Sequence, residues 1–283
     1  MSEPVSLHPI RPRKFKVPFD DVPRHWFAGM PLPTHLANGV NLLFPAGERF
    51  FVRSVHRYLD RVTDPALLEQ VKGFSGQEGR HAAAHDRFFE ALERQGFEIR
   101  RFLRFYEWFA YRVVEPIAPA SLRLATTAAC EHFTAILAHD ALTNGMLEQH
   151  ADPALRDLLM WHAAEEIEHK AVAFDVLKLV NPSYLLRMAG LYVATVMLGG
   201  FWMLGTAMLL KQDPEATLKR ILEDRRKLKG RTPLLRVFVG GILRYVRPSF
   251  HPNQENDLGV ARDYLQRAGD SIEPVGVASQ SPA

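Results

Sequence analysis

Two Glu-x-x-His units, Glu78 to His81 and Glu166 to His169, are the residues of this sequence best placed to do chemistry. A Glu and a His three residues apart on a helix lie about 60° and about 4.5 Å from each other, so both can reach one point beside the helix. That is metal-ligand spacing. Two further carboxylates, Glu48 and Glu131, precede the units by 30 and 35 residues. A four-helix bundle with a Glu on each of two helices and Glu-x-x-His on each of the other two presents four carboxylates and two imidazoles to a pair of metal ions. Glu48, Glu78, His81, Glu131, Glu166 and His169 meet that requirement. Four facing carboxylates buried without cations would be strongly unfavourable, and two divalent ions would cancel their charge.

A single Glu-x-x-His is more often a solvated pair than a ligand set, and internal repetition decides the matter here. Asp64-Pro-Ala-Leu67 recurs as Asp152-Pro-Ala-Leu155 at an offset of 88, which also carries Glu78 onto Glu166 and His81 onto His169. At an offset of 83, Ala46-Gly-Glu48-Arg-Phe50 meets Ala129-Cys-Glu131-His-Phe133. The chain therefore reads as two copies of one helical hairpin. The register prefers Glu166 to Glu165, because Glu165 falls on Gln77 and an amide in one copy argues against an obligatory ligand. His85 and His162 share the face of the ligands and could be further ligands or hydrogen-bond to them from behind, but Ala173 and Phe74 replace them in the other copy. His56 and His139, about 80° around their helices from Glu48 and Glu131, read as buried packing residues or as hydrogen-bond partners behind the ligands.

The elements that must position these residues are helices. Pro and Gly fall at wide intervals through the middle of the chain, and the runs between them follow a 3.6-residue period. Asp64-Pro65 and Asp152-Pro153 pair a capping Asp with a Pro suited to the first turn, predicting helices from 65 to about Gln95, before Gly96, and from 153 to about Val180. Helices around 46–61 and 120–148 precede them. The aromatic stretch from Phe97 to Tyr111 joins the hairpins as core, with a hydrophobic substrate channel as the alternative.

The segments FPAGERFF (44–51), QEGRHAAAH (77–85), EHFTA (131–135) and WHAAEEIEHK (161–170) resemble the ferritin-like di-iron carboxylate superfamily. More narrowly they resemble a bacterial family of predicted metal-dependent hydrolases. The resemblance implies an all-α, ferritin-like four-helix bundle from two helical hairpins. It also implies terminal ligation by Glu48 and Glu131, bridging by Glu78 and Glu166, and one metal bound by each of His81 and His169.

Composition excludes other classes. With 283 residues, 47% hydrophobic, 24% charged and a net charge of +3, the chain is neither largely disordered nor basic enough to imply nucleic acid. Its single Cys130 makes no internal disulfide. The first thirty residues hold no secretory signal, so a cytoplasmic place is expected. Met188 to Leu210, however, is uncharged over 23 residues, and 211–247 follows with eleven Lys or Arg against four Asp or Glu. Gly199-Gly200 at the centre of the apolar segment suggests a re-entrant or interfacial hairpin on the cytoplasmic face of the inner membrane; a buried helix or homodimer contact is the alternative. The expected organisation is an N-terminal arm (1–43), the di-metal bundle (44–182), an apolar and basic helical appendage (183–267) and a disordered tail (268–283).

From these readings the leading expectation is an oxidase or monooxygenase using two iron ions and O2 on a hydrophobic, lipid-like substrate. Manganese or zinc could replace the iron, and an external donor would supply electrons, since the sequence has no Gly-rich nucleotide fingerprint. The alternatives are a hydrolase of esters or phosphoesters whose two metals activate water, and an iron-binding or storage bundle.

Overall fold

A computed structural model describes residues 9–228 and 234–274, and the fold is all-α apart from one two-stranded ribbon. The chain runs through β1 (Arg13–Phe15), α1 (Pro31–Asn41), α2 (Phe44–His56), α3 (Pro65–Arg94) and α4 (Arg100–Glu107). A π-helical stretch, Trp108–Val114, leads through the single turn α5 (Glu115–Ile117) to α6 (Ala120–Thr143), α7 (Met146–His150), α8 (Pro153–His169) and α9 (Val172–Val180). Then follow α10 (Tyr184–Gln212), α11 (Leu218–Lys227), α12 (Leu234–Tyr245), α13 (Leu258–Arg267) and β2 (Ile272–Pro274).

The two repeats fold as their caps require. Asp64 accepts a hydrogen bond from the backbone N–H of Ala66 at 2.9 Å, and Asp152 does the same for Ala154 at 3.0 Å. Each satisfies an otherwise orphaned donor of its helix's first turn. Gly96, with φ +88°, follows the end of α3 in a left-handed conformation that a Cβ would oppose. The first hairpin packs α2 on α3, and the second packs α6 on α8 and α9. The hairpins meet through α2 with α6 and α3 with α8, so all four ligand-bearing helices enclose one interior.

Several expectations change. The helix expected over 153–180 turns at Lys170 and Ala171, and the turn lets Lys170 Nζ reach the Glu255 carbonyl at 2.8 Å and the Asp257 carboxylate. The helix expected over 120–148 stops at Thr143, because Gly145 adopts φ +68° before α7. His56 and His139 are exposed rather than packed: they point away from the interior toward Ser75 and Asp257. The expected disordered tail is ordered in its first part, where β2 pairs antiparallel with β1 (Phe15 opposite Ile272); the rest of it, 275–283, lies outside the described residues.

The largest correction concerns the apolar segment. No hairpin forms at Gly199-Gly200; α10 is continuous for 29 residues. A helix satisfies its own backbone at two glycines, whereas a turn there would expose unpaired groups in an apolar run. α10 lies on α6 and α1 at close crossings. A Cβ at Gly190 would collide with the Ala125 backbone, and one at Gly39 with Thr206.

Candidate metal centre

Four helices bring the six expected ligands to one place. Glu48 comes from α2, Glu78 and His81 from α3, Glu131 from α6, and Glu166 and His169 from α8. All are at most 4% exposed. His169 Nε2 lies 3.2 Å from Glu78 Oε1, 3.4 Å from Glu131 Oε2 and 3.4 Å from Glu166 Oε1. His81 Nδ1 lies 3.5 Å from Glu166 Oε1. The groups Glu48–Glu78–His81 and Glu78–Glu166–His169 each have their ligand atoms within 4.8 Å of one another, and they share Glu78.

His85 and His162 join the same cluster. His162 Nε2 is 2.9 Å from Glu166 Oε1 and 3.6 Å from Glu48 Oε1, and its Nδ1 lies 2.7 Å from His85 Nε2. Phe44 packs on both rings, at centroid distances of 4.9 and 4.6 Å.

Glu165 and Glu168, read from sequence as solvated or as supports of the ligands, lie behind them, together with Gln77 and Arg13, which sequence reasoning did not single out. Gln77 Oε1 accepts a hydrogen bond from His169 Nδ1 at 2.8 Å, and Glu165 Oε2 accepts one from His81 Nε2 at 3.0 Å. Gln77 also donates to Glu168 Oε2 at 2.7 Å. Arg13, from the N-terminal arm, spans Glu165 at 2.9 Å and Glu168 at 2.8 Å. The Gln77–Glu165 equivalence of the repeat was a signal for the first pair; nothing in the sequence pointed to Arg13.

The donor set fits metal ions. Both oxygens of Glu48, Glu78 and Glu131, one of Glu166, His81 Nδ1, His85 Nδ1 and His169 Nε2 are buried with no hydrogen-bond partner. Buried polar atoms are nearly always paired, so a convergent group of orphans on carboxylates and imidazoles is the signature of cation ligands. Without cations, burial and the neighbouring carboxylates push Glu48, Glu78 and Glu131 well above the usual carboxylate range. Burial would also raise Glu166, but His169, His162 and His81 outweigh it and hold Glu166 well below that range. His169, though burial opposes it, is raised to about 9 by Glu166 and Glu131. His162 is lowered to about 4 by burial and by His81.

An apolar cavity of about 140 Å³ adjoins the centre. Phe44, Gly47 and Phe50 of α2 form one wall beside Glu48, and Val193, Met197 and Leu198 of α10 form another. Its polar groups include the Tyr106 and Tyr111 hydroxyls, which lie 2.6 Å apart. The aromatic connection thus contributes both core and cavity wall, while Phe105 and Trp108 are exposed.

A second group, His25, His35 and Asp213, has a different character. Asp213 Oδ2 accepts from His25 at 2.6 Å and from His35 at 2.7 Å, and the cation of Arg24 lies 3.5 Å from Oδ1. Its carboxylate is already satisfied and neutralised, which reads as a structural tie between the N-terminal arm and α10.

A family profile described as predicted metal-dependent hydrolase matches residues 11–256. No curated protein and no solved structure matches the chain.

Proposed function

Because the chain belongs to the family of predicted metal-dependent hydrolases, we propose that it is a hydrolase that holds two divalent cations in the buried cluster and cleaves an ester or phosphoester of an apolar substrate. The observation that carries this reading is the convergence of orphaned donor atoms from Glu48, Glu78, His81, Glu131, Glu166 and His169. Those six residues would hold the cations in a ferritin-like arrangement, and His85 and His162 stand close enough to join them. Bound divalent cations supply Lewis acidity, which acidifies water and polarises the scissile bond.

The chain's own groups do the rest. Gln77 and Glu165 fix the ring orientations of His169 and His81 by accepting one N–H of each, which turns the other nitrogen toward the centre. If His162 donates from Nε2 to Glu166, its Nδ1 accepts from His85 Nε2–H, and His85 Nδ1 is left as a free lone pair. Burial and the neighbouring His162 and His81 hold His85 well below the usual imidazole range, so this lone pair stays unprotonated and can accept a hydrogen bond from water or join the cation ligands. Phe44 shields the pair, and the cavity takes the substrate's apolar part.

A second reading, O2-dependent oxidation with two iron ions and an external electron donor, is favoured by the imidazole and carboxylate donors, which suit iron, and by the apolar cavity. Metal analysis, followed by assays for acyl-ester cleavage and for O2 uptake on reduction of the iron-loaded protein, separates the two. Ester cleavage with zinc or manganese and no O2 uptake supports hydrolysis; O2 uptake with iron and no cleavage overturns it. Glu78→Ala or Glu166→Ala is expected to abolish binding of the metal pair, and unchanged two-metal occupancy would overturn the ligand set.

A further inference from the structure

α10 and α12 both pack on α6 and meet through side chains. Trp202 meets Phe238 at a ring distance of 5.6 Å, and at the other end the Tyr184 hydroxyl donates to the Val246 carbonyl at 2.8 Å. Each helix keeps an apolar stripe turned away from α6. On α10 it comprises Leu185, Tyr192, Val196, Met203 and Leu204, and on α12 Leu235, Val239 and Leu243. Tyr192 is 71% exposed and Leu235 74%. Isolated exposed apolar residues are ordinary, but a stripe of five along one side of a 29-residue helix, with a second stripe on α12, marks an interaction surface.

The segment that follows α10 is mainly basic, with Glu215 exposed and Glu223 half-buried among the bases. The segment from the end of α10 to the start of α12 exposes Lys211, Lys219, Arg225, Arg226, Lys227 and Arg236. Of its acids, Asp213 and Asp224 are buried, where they serve His25, His35 and the N–H of Leu32. An apolar face bordered by exposed bases complements an anionic lipid surface. α10 is long and apolar enough to cross a bilayer, but its opposite stripe, including Gly190, Ala194, Phe201 and Trp202, is buried against the rest of the protein. Crossing would strip those contacts, which favours a helix lying along a surface over one that spans.

We infer that the α10–α12 face docks the protein on an anionic bilayer, with both helices lying in the plane of the lipid headgroups. The inner side of α10 lines the cavity beside the metal centre, so docking would bring that cavity within reach of membrane-dissolved substrates. In this respect the inference rests on the hydrolytic reading and narrows its substrate to an ester carrying a long apolar chain.

Vesicle sedimentation tests the docking without reference to catalysis. The full-length protein is expected to bind vesicles of phosphatidylglycerol and phosphatidylcholine, to bind pure phosphatidylcholine weakly, and to be released by salt. Arg225→Ser with Arg226→Ser should weaken partitioning by roughly 30-fold, at about fivefold per base lost. Tyr192→Glu with Leu235→Glu should abolish it while leaving helix content and metal binding unchanged. No binding to either vesicle, or binding that neither salt nor the base substitutions weaken, overturns the inference. So does a dimer that Tyr192→Glu with Leu235→Glu disrupts in a protein that binds no vesicle, since a second copy would then cover the face. Docking without ester cleavage would leave the inferred surface standing and sink the hydrolytic reading alone.

Discussion

Gln77 Oε1 accepts a hydrogen bond from His169 Nδ1 at 2.8 Å, across 92 positions of the chain. Its repeat equivalent, Glu165, does the same for His81 at 3.0 Å, so each hairpin orients a histidine of the other. Gln77→Leu removes this hold on His169. Metal affinity is expected to fall about 10- to 100-fold, as read by competition with a chromogenic chelator, with little change in helix content. Affinity equal to the parent's would show that Gln77 does not position the ring.

Arg13 is the cation that balances Glu165 and Glu168 behind the ligands. Arg13→Ala removes a partly buried cation shared by two buried carboxylates and should cost about 3–5 kcal/mol in denaturant unfolding. Arg13→Lys keeps the charge but loses the two-pronged geometry, and should recover part of the loss. Wild-type stability in both variants would place the arm outside the support of the site.

The metal-free protein should lose stability as pH rises above neutral. Glu48, Glu78 and Glu131 have folded-state pKa values raised above the unfolded value of about 4.3, so their contribution is complete below that pH and is lost as they ionise. His169, raised to about 9, adds a contribution that is complete below about 6.5 and lost as pH rises through about 9. Glu166 is depressed and burial lowers His162, His85, His132 and His35; these work in the opposite sense, with contributions complete above about pH 7, so the loss from the raised groups is read above neutral pH. Cations reverse the trend by replacing the protons, so metal binding at neutral pH should release protons and weaken on acidification. Melting temperatures of both forms from about pH 7 to 10, with calorimetry at neutral pH in buffers of different ionisation enthalpy, check both statements; a metal-free protein that gains stability from neutral pH upward would contradict the first, and metal binding without proton release the second.

Helix crossing at Gly190 gives a further contrast. Gly190→Leu must displace the Ala125 backbone and should destabilise by about 1–3 kcal/mol or more. Gly199→Ala meets open space within a continuous helix and should stabilise by up to about 1 kcal/mol. Thermal melts of both distinguish this helix from a hairpin at Gly199-Gly200, which alanine would weaken.

The convergence of the six expected ligands was legible in the sequence because it rests on local rules. Helix period places Glu and His three apart on one face, Asp-Pro caps set where the helices of α3 and α8 begin, and an 88-residue offset repeats both. The family resemblance was legible in the same segments. What only tertiary structure decided were contacts between distant parts of the chain. Arg13 reaches Glu168 across 155 positions, and Gln77 crosses to the other hairpin. The apolar run of α10 looked alike on all sides in sequence, and packing on α6 and α1 decided which side is covered. Spacing within a helix fixes direction around one axis; which neighbour lies in that direction depends on how whole helices pack, and no local pattern encodes that.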